Sequence, residues 1–243
     1  MDEVITPWAD WRTMSEEKSP LDRLLARPDF KPFSGPHAFR VLDLAKKRLK
    51  MPPVREEDVL KAVSSLGVVL ETEVAMIIAL QQRLCQRCGN CCRSRGSIRM
   101  KKEELQIVAD TLHMEYKKLK DRVNAVPMGD GTFIVSQPCP FLRGNLCAIH
   151  PVRPSTCRGY PVNELLFTMG QGKNFEGCTI ADPLLTEIVV KRVLEEQMWR
   201  EHPEELKIMA EKRRGELAKL AEMPQAERMR VLTEEYARAL LKK

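Results

Sequence analysis

Apolar residues recur every three or four positions through much of this chain, which is the spacing of helices with one buried face. The longest such stretch covers residues 56–84 and predicts one amphipathic helix that ends at the first cysteine. Two shorter stretches predict helices at 20–27, where Ser19 precedes a proline in the manner of an N-cap, and at 36–50. The region before the first cysteine is therefore predicted to be largely helical.

The pattern changes after the first cysteines. Residues 132–136 are predicted to form a strand that follows the turn Asp130-Gly131, and residues 98–100 a shorter strand. Between them, residues 101–113 and 115–124 are predicted to be helices. Residues 138–161 contain five prolines and three cysteines, so we expect no regular structure there.

Three helices are predicted after the last cysteine, beginning near Pro183, Pro203 and Pro224. Their glutamates alternate with lysines and arginines, as in solvated helix faces or a coil that binds a partner. The whole pattern predicts an α+β fold that is mostly α-helical, with a cysteine-rich, loop-dominated metal core, a short β element and a helical C-terminal extension. We expect three parts: an N-terminal arm with helices that pack on the core at 1–84, a cysteine-cluster domain at 85–181, and the extension at 182–243.

Eight cysteines make a metal site the leading chemical hypothesis. They follow the spacing C-x2-C-x2-C-C-x46-C-x7-C-x9-C-x20-C, and all are candidate ligands: Cys85, Cys88, Cys91, Cys92, Cys139, Cys147, Cys157 and Cys178. Cysteines separated by two residues, with a remote cysteine before a proline as in Cys139-Pro140, are typical of iron–sulfur proteins. An iron–sulfur cluster of the 4Fe-4S type is therefore the first expectation, in one or two centres. Zinc is the alternative, although the later gaps do not form the paired knuckles of a zinc ribbon.

The first centre is predicted to use Cys85, Cys88 and Cys91, because only the two-residue gaps bring three sulfurs within reach of one turn. One of Cys139, Cys147 or Cys157 would complete it. The adjacent side chains of Cys91 and Cys92 point apart on an extended backbone. We therefore expect one of this pair to serve a second centre or to hydrogen-bond near the first.

The net charge of +6 is concentrated around the cysteines, since residues 83–102 contain seven lysines and arginines and no acid. One interpretation is charge compensation, because guanidinium groups can offset the negative charge of metal-bound thiolates. We expect this role for Arg93 and Arg95. The other interpretation is an anion pocket, for which Arg158 and Tyr160 are the candidate cofactor-binding residues. No aromatic ladder interleaves the basic residues, so there is no clear nucleic-acid signal.

Composition also suggests a compartment. The first thirty residues carry acids and no continuous apolar core, so we expect no secretory signal. The longest apolar stretch, at 74–80, is too short to cross a bilayer. We therefore expect a cytoplasmic protein without membrane contact, whose thiols stay reduced. Disulfides are the alternative, because the cysteine count is even.

The cysteine run, together with the segments around the later cysteines, resembles the CxxCxxCC cysteine-cluster family of zinc- or iron-chelating proteins. These segments are C-P-F-L at 139–142, C-A-I-H at 147–150 and R-P-x-x-C-R-x-Y-P at 153–161. The resemblance implies a metal-chelating domain over about residues 85–178, with relatives that include the flagellin lysine methylase of bacteria. The family commonly has an aromatic residue, often tyrosine, where this chain has His150. We expect His150 to pack or to hydrogen-bond rather than to bind metal.

Three functions remain open at this point. The first is a metal-binding protein with a redox or cofactor-handling role. The second is an enzyme that methylates a protein lysine, as the resemblance suggests. Against it, Gly170-Gln-Gly172 is an isolated G-x-G, and the C-x3-C-x2-C run of radical S-adenosylmethionine enzymes is missing. The third is a zinc-stabilised module whose C-terminal helices bind a protein partner. No side chain is assigned a catalytic role.

Overall fold

The computed structural model describes residues 18–49, 54–94, 96–162 and 178–241. It forms two compact units. The helical unit contains the described residues up to Arg83 and those from Thr179 onward, and the cysteine unit contains residues 84–162 and Cys178. Arg95 and the Gly170-Gln-Gly172 sequence lie outside the described residues.

Among the described residues, five helices come before the first strand, short strands and helices follow in the middle of the chain, and three long helices come last. In chain order, the helices of the described residues are α1 (Pro20–Leu25), α2 (Pro36–Leu49), α3 (Glu56–Ser64), α4 (Glu71–Leu84), α5 (Asn90–Ser94), α6 (Lys102–Thr111), α7 (Tyr116–Arg122), α8 (Ser155–Arg158), α9 (Ala181–Glu201), α10 (Pro203–Ala221) and α11 (Gln225–Leu241). The strands are β1 (Ser97–Lys101), β2 (Val126–Pro127), β3 (Thr132–Ser136), β4 (Leu142–Arg143) and β5 (Leu146–Cys147), and 3-10 helices lie at Ser65–Gly67 and His150–Val152. The predicted class, α+β and mostly helical with a cysteine-rich part, is confirmed.

The helical unit is built around α9. Apolar side chains of α9, such as Leu184 and Ile188, are fully buried, and the helix packs against α1, α2 and α3. At the start of α1, Ser19 Oγ accepts a hydrogen bond from the Asp22 N–H at 3.2 Å. Ser19 is therefore the N-cap that its sequence context predicts.

The C-terminal helices α10 and α11 form a smaller core with α4, in which Ala75, Leu217 and Leu232 are buried. On α10, Ile208 and Met209 are 67% and 57% exposed. Exposed apolar neighbours of this kind are common on surfaces that bind other proteins. A protein partner for these helices stays a prediction.

The single helix predicted over residues 56–84 is wrong, because the structure divides it into α3 and α4. The break lies at the 3-10 turn that contains Gly67. A Cβ atom on Gly67 would lie 1.6 Å from the Lys31 carbonyl oxygen, so only glycine allows this approach. The Phe33 N–H also donates to the Ser64 carbonyl at 2.9 Å. These contacts with a distant segment interrupt a periodicity that is otherwise helical.

A buried ion pair joins α9 to both sides of this break. Arg192 is 1% exposed and donates to both carboxylate oxygens of Glu73, at 2.9 and 2.6 Å. Its guanidinium also donates to Ser65 Oγ at 2.7 Å and to the Val68 carbonyl at 2.6 Å. Burial alone would raise the pKa of Glu73, but the adjacent Arg192 holds that pKa below its ordinary value. The carboxylate therefore stays charged inside the core.

The cysteine unit contains a three-stranded antiparallel sheet in the order β1-β3-β2. Strand β3 forms where the sequence predicts it and pairs with β1, so that Ile98 lies opposite Val135. Both side chains are buried in a core that also holds Leu105 of α6. Cys139 and Ile149 belong to the same core, so the loops that carry the later cysteines pack on the sheet.

Residues 138–161 contain more regular structure than their prolines and cysteines predict. Strands β4 and β5 form a hairpin, which is followed by a 3-10 turn and by α8. Each of these elements has only two to four residues and fits between prolines. The prediction that this segment has no regular structure is therefore wrong for these short elements.

Among the described residues, no single helix is long and apolar enough to cross a membrane. The segments Glu56–Gly67 and Glu71–Gln81 pass this test of length and composition only as a pair, and they are bent by 95°. Both segments bury apolar side chains, such as Val59 and Ile77, within the helical unit.

We expect Arg192→Met to lower the free energy of unfolding by about 3–5 kcal/mol, because it leaves the Glu73 carboxylate buried without its charge partner. The matched control is Arg230→Met, which removes a solvent-exposed partner of Glu234 and should cost at most about 1 kcal/mol. Urea unfolding followed by circular dichroism measures both. A loss below about 1 kcal/mol in Arg192→Met would contradict a stabilising role for the buried pair.

Candidate metal centre

Cys91 and Cys92 lie on α5, a short helical turn that depends on a glycine. The Cys92 N–H donates to the Gly89 carbonyl at 3.0 Å, and Gly89 has a φ of 76°. A Cβ atom on Gly89 would lie 3.0 Å from the carbonyl oxygen of Asn145, which connects β4 to β5. Glycine therefore lets the cysteine turn approach this hairpin closely.

Hydrogen bonds attach Cys139 to the same turn. The Cys139 N–H donates to the Cys92 carbonyl at 2.9 Å, and Gln137 Nε2 donates to the Cys91 carbonyl at 2.8 Å. Gln137 Oε1 in turn accepts from the Gly96 N–H at 3.0 Å. The segment after β3 is thus held beside the first cysteines by protein groups alone.

Arg93 attaches the turn to the β4–β5 hairpin. Its Nη1 donates to the Cys88 carbonyl at 3.1 Å, and its Nη2 donates to the Gly144 carbonyl at 3.1 Å and to Asn145 Oδ1. We expected Arg93 to offset thiolate charge. In the structure its guanidinium bonds to oxygens of two loops and holds them together. Its role in offsetting thiolate charge stays a prediction.

The thiol of Cys92 lies within hydrogen-bonding reach of the thiols of Cys139 and Cys147. The Cys92 side chain hydrogen-bonds with Cys139, with Cys147 and with Cys91, and these bonds together with burial raise the pKa of Cys92. The bond from Cys92 lowers the pKa of Cys139 against the opposing effect of burial, and it brings the pKa of Cys147 to about 7. The proton is therefore retained on Cys92 while its two partners ionise more readily.

Two backbone N–H groups support these sulfurs. In addition to the hydrogen bond from Cys92, Cys139 Sγ accepts a hydrogen bond from the Phe141 N–H, and Cys147 Sγ accepts one from the Ile149 N–H. In both cases the donor lies two residues after the cysteine. Such bonds favour the thiolate, which is the form that binds metal. The segments C-P-F and C-A-I thus share one feature: each directs a backbone N–H at the sulfur of its own cysteine.

The thiols line a cavity of about 50 Å³. Its lining includes six of the eight cysteines: Cys85, Cys91, Cys92, Cys139, Cys147 and Cys157. Arg87, His150, Arg153 and Tyr160 line it as well, whereas no Asp or Glu of the described residues does. The cavity therefore combines sulfur donors with cationic side chains.

Some predicted site residues lie elsewhere. Among the described residues, Cys88, Cys178 and Arg158 do not line the cavity. Arg158 donates to the Arg153 carbonyl at 2.5 Å and lies 3.8 Å from the Glu104 carboxylate. Its charge already has a partner, so the structure does not place Arg158 as a contact for a ligand in this cavity.

The cations that do line the cavity are Arg87 and Arg153, which sequence reasoning did not single out. Arg87 stands between two cysteines of the first run, and Arg153 begins the R-P-x-x-C segment. These positions within the cysteine motifs are the sequence signal that could have identified both arginines as residues of the site. Tyr160, the other candidate cofactor-binding residue, is buried and lines the cavity, and its role in binding a cofactor stays a prediction.

Two buried nitrogens at this cavity, His150 Nε2 and Arg153 Nε, have no hydrogen-bond partner among the described residues. Burial, followed by the charges of Arg153 and Arg87, lowers the pKa of His150, so its ring is neutral at neutral pH. Arg153 also contributes, through its charge, to the low pKa of Cys147. The hydrogen bond expected for His150 is therefore not made at Nε2.

The described residues hold no group of three Cys, His, Asp or Glu side chains already arranged around one point as metal ligands. The thiols contact one another rather than a common centre. Their chemistry nevertheless fits a thiophilic ion, because soft sulfurs lie close together and ionise readily.

Residues 84–183 match the CxxCxxCC family model, whose description is "Putative zinc- or iron-chelating domain". We call this segment the CxxCxxCC domain because of this similarity, which covers less than half of the chain. It contains all eight cysteines, and the resemblance inferred from their spacing is confirmed. The family supports metal binding as the function of the CxxCxxCC domain. No curated protein and no solved structure matches the chain.

In reduced, metal-free protein, we expect Cys147 to react with iodoacetamide at a rate that rises with pH and is half-maximal near pH 7. The bond from Cys92 is the first cause, so Cys92→Ala should move this midpoint toward the ordinary value near 9. The rate at pH 7 should then fall by about tenfold or more. Mass spectrometry of the Cys147 peptide measures the rate.

Cys92→Ser is the control for this experiment, because a hydroxyl can still donate to the Cys147 sulfur. It should keep the midpoint close to that of the wild-type protein. A wild-type midpoint near 9, or an equal shift in the alanine and serine variants, would contradict the role assigned to the Cys92 bond.

Proposed function

We propose that the CxxCxxCC domain binds one thiophilic metal ion, zinc or iron, through Cys92, Cys139 and Cys147. The observation that carries this proposal is that these three cysteines line one cavity and that Cys92 hydrogen-bonds with both of the others. Cys91 lies beside them as a further sulfur. None of the eight cysteines forms a disulfide, so no such bond competes for these donors.

The three sulfurs come from separate segments. Cys92 lies on α5, Cys139 follows β3, and Cys147 ends β5. An ion bound to all three would cross-link the turn, the sheet and the hairpin. Because such a site does not exist in the unfolded chain, the free energy of metal binding would stabilise the fold. The role of the ion would thus be structural, as a cross-link between these segments.

The closeness of the thiols favours a single ion. Thiolates that bind a tetrahedral ion at about 2.3 Å lie about 3.8 Å from each other, which is close to sulfur contact distance. In a 4Fe-4S cluster, iron and sulfide atoms hold the thiolates further apart.

An iron–sulfur cluster with a redox or cofactor-handling role is the second candidate. The spacing of Cys85, Cys88 and Cys91 favours it, and so does the presence of Cys85 and Cys157 in the wall of the same cavity. These sulfurs would serve a larger inorganic group if the loops moved apart. Either centre needs reduced thiols, which supports a cytoplasmic location.

We expect Cys92→Ala to lose most of its bound metal, because the change removes the sulfur that contacts both other thiols. Metal affinity should fall by more than the roughly 10- to 100-fold that is typical of residues which only support a ligand. The control is Cys178→Ala, whose thiol does not line the cavity and which should keep its metal. Elemental analysis after anaerobic purification measures both. Full metal content in Cys92→Ala, or equal loss in both variants, would contradict the assignment.

Metal removal should loosen the segment 138–161, because its elements are too short to be stable through backbone hydrogen bonds alone. After chelation, trypsin should cleave faster at the exposed Arg143. Cleavage after Arg230, on an exposed face of α11, is the internal control and should not change. Equal rates at Arg143 with and without chelator would show that packing on the sheet holds the segment.

A further inference from the structure

The nitrogen His150 Nε2 is an anomaly of the cysteine unit. It is buried and has no hydrogen-bond partner among the described residues. Native proteins rarely leave a buried polar atom unpaired, because the atom loses its bonds to water and gains nothing in return. This nitrogen therefore calls for a partner that is not a protein group.

The position of His150 indicates what this partner is. His150 follows Cys147 by three residues, at the start of the 3-10 turn His150–Val152. Its side chain lines the same cavity as Cys92, Cys139 and Cys147. A neutral imidazole nitrogen is among the most common ligands of zinc and iron, and sites with three cysteines and one histidine are well established.

We propose that His150 Nε2 is the fourth ligand of the metal ion, completing a Cys3His site with Cys92, Cys139 and Cys147. This inference rests on the proposed function and deepens it. It assigns a nitrogen ligand where the sequence predicts only packing or a hydrogen bond. It also gives the ion a tetrahedral set of donors.

Cys91 is the competing fourth ligand, and the contacts favour His150. Cys92 hydrogen-bonds with Cys139 and Cys147, whereas Cys91 acts on those two thiols through its charge. Cys91 and Cys92 are also neighbours on α5, and successive side chains of a helix point about 100° apart. It is difficult for both to reach one ion, and Cys92 is already in contact with the other ligands.

The second unpaired nitrogen fits the same arrangement. Arg153 Nε carries a hydrogen and a positive charge, so it cannot bind a metal, but it can donate to a thiolate. Its charge already acts on Cys147. A divalent ion with three thiolates has a formal charge of −1, which one guanidinium balances. A metal at His150 and a thiolate at Arg153 would thus satisfy both orphaned atoms.

X-ray absorption at the zinc edge tests the proposal on protein loaded with one equivalent of zinc. The wild-type spectrum should require three sulfurs at about 2.3 Å and one nitrogen at about 2.0–2.1 Å. His150→Phe keeps a ring of similar shape and should lose this nitrogen, with zinc affinity at least tenfold lower. His202→Phe, at an exposed histidine of the helical unit, should match the wild type.

The outcomes separate the two proposals. Four sulfurs and no nitrogen in the wild type would overturn the role of His150 and leave the thiolate centre standing. An unchanged nitrogen in His150→Phe would overturn it as well. If the wild-type protein bound no zinc at all, the Cys3His zinc site would be overturned, and so would the proposed centre as a zinc site. The wild-type spectrum alone decides the number of nitrogens, so the test does not depend on the variant folding.

Discussion

The contact of the Cys92 side chain with the thiols of Cys139 and Cys147 is the interaction on which the cysteine unit depends. It brings a helical turn together with the segment after β3 and the β4–β5 hairpin, both of which lie more than 40 residues later in the sequence. Protein groups prepare this contact. The backbone bond from Cys139 to Cys92 and the guanidinium of Arg93 hold the loops before any metal is bound. The ion would therefore join segments that are already neighbours, and less ordering would be needed on binding.

Electrostatics around the thiols follow from the same contact. The proton stays on Cys92, while Cys139 and Cys147 receive hydrogen bonds from it and from backbone N–H groups. Arg87 and Arg153 add positive charge at a cavity wall that includes no described carboxylate. This environment favours thiolates near neutral pH, and metal binding requires thiolates. Arg93 and Arg158 do not line the cavity: Arg93 donates to the Gly144 carbonyl, and Arg158 lies 3.8 Å from the Glu104 carboxylate.

Sequence patterns predicted the features that depend on local chemistry. The Ser19 cap, the strand β3 and the metal-chelating family all follow from short segments. The patterns failed where a distant segment decides the outcome. The helix break at Gly67 depends on the Lys31 carbonyl, which no periodicity within residues 56–84 can show. The contacts of Cys92 depend on a hydrogen bond across 46 intervening residues, whereas spacing alone favours the closely spaced cysteines before it.

The most direct test of this account is the determination of zinc, iron and acid-labile sulfide per chain in protein purified without oxygen, together with its visible spectrum. The account predicts one metal ion per chain and no labile sulfide, because the proposed ligands Cys92, Cys139 and Cys147 bind a single ion. Iron accompanied by an equal amount of sulfide, with the broad absorption of an iron–sulfur cluster, would contradict the single-ion centre. Protein that holds no zinc or iron under these conditions would contradict the metal centre itself.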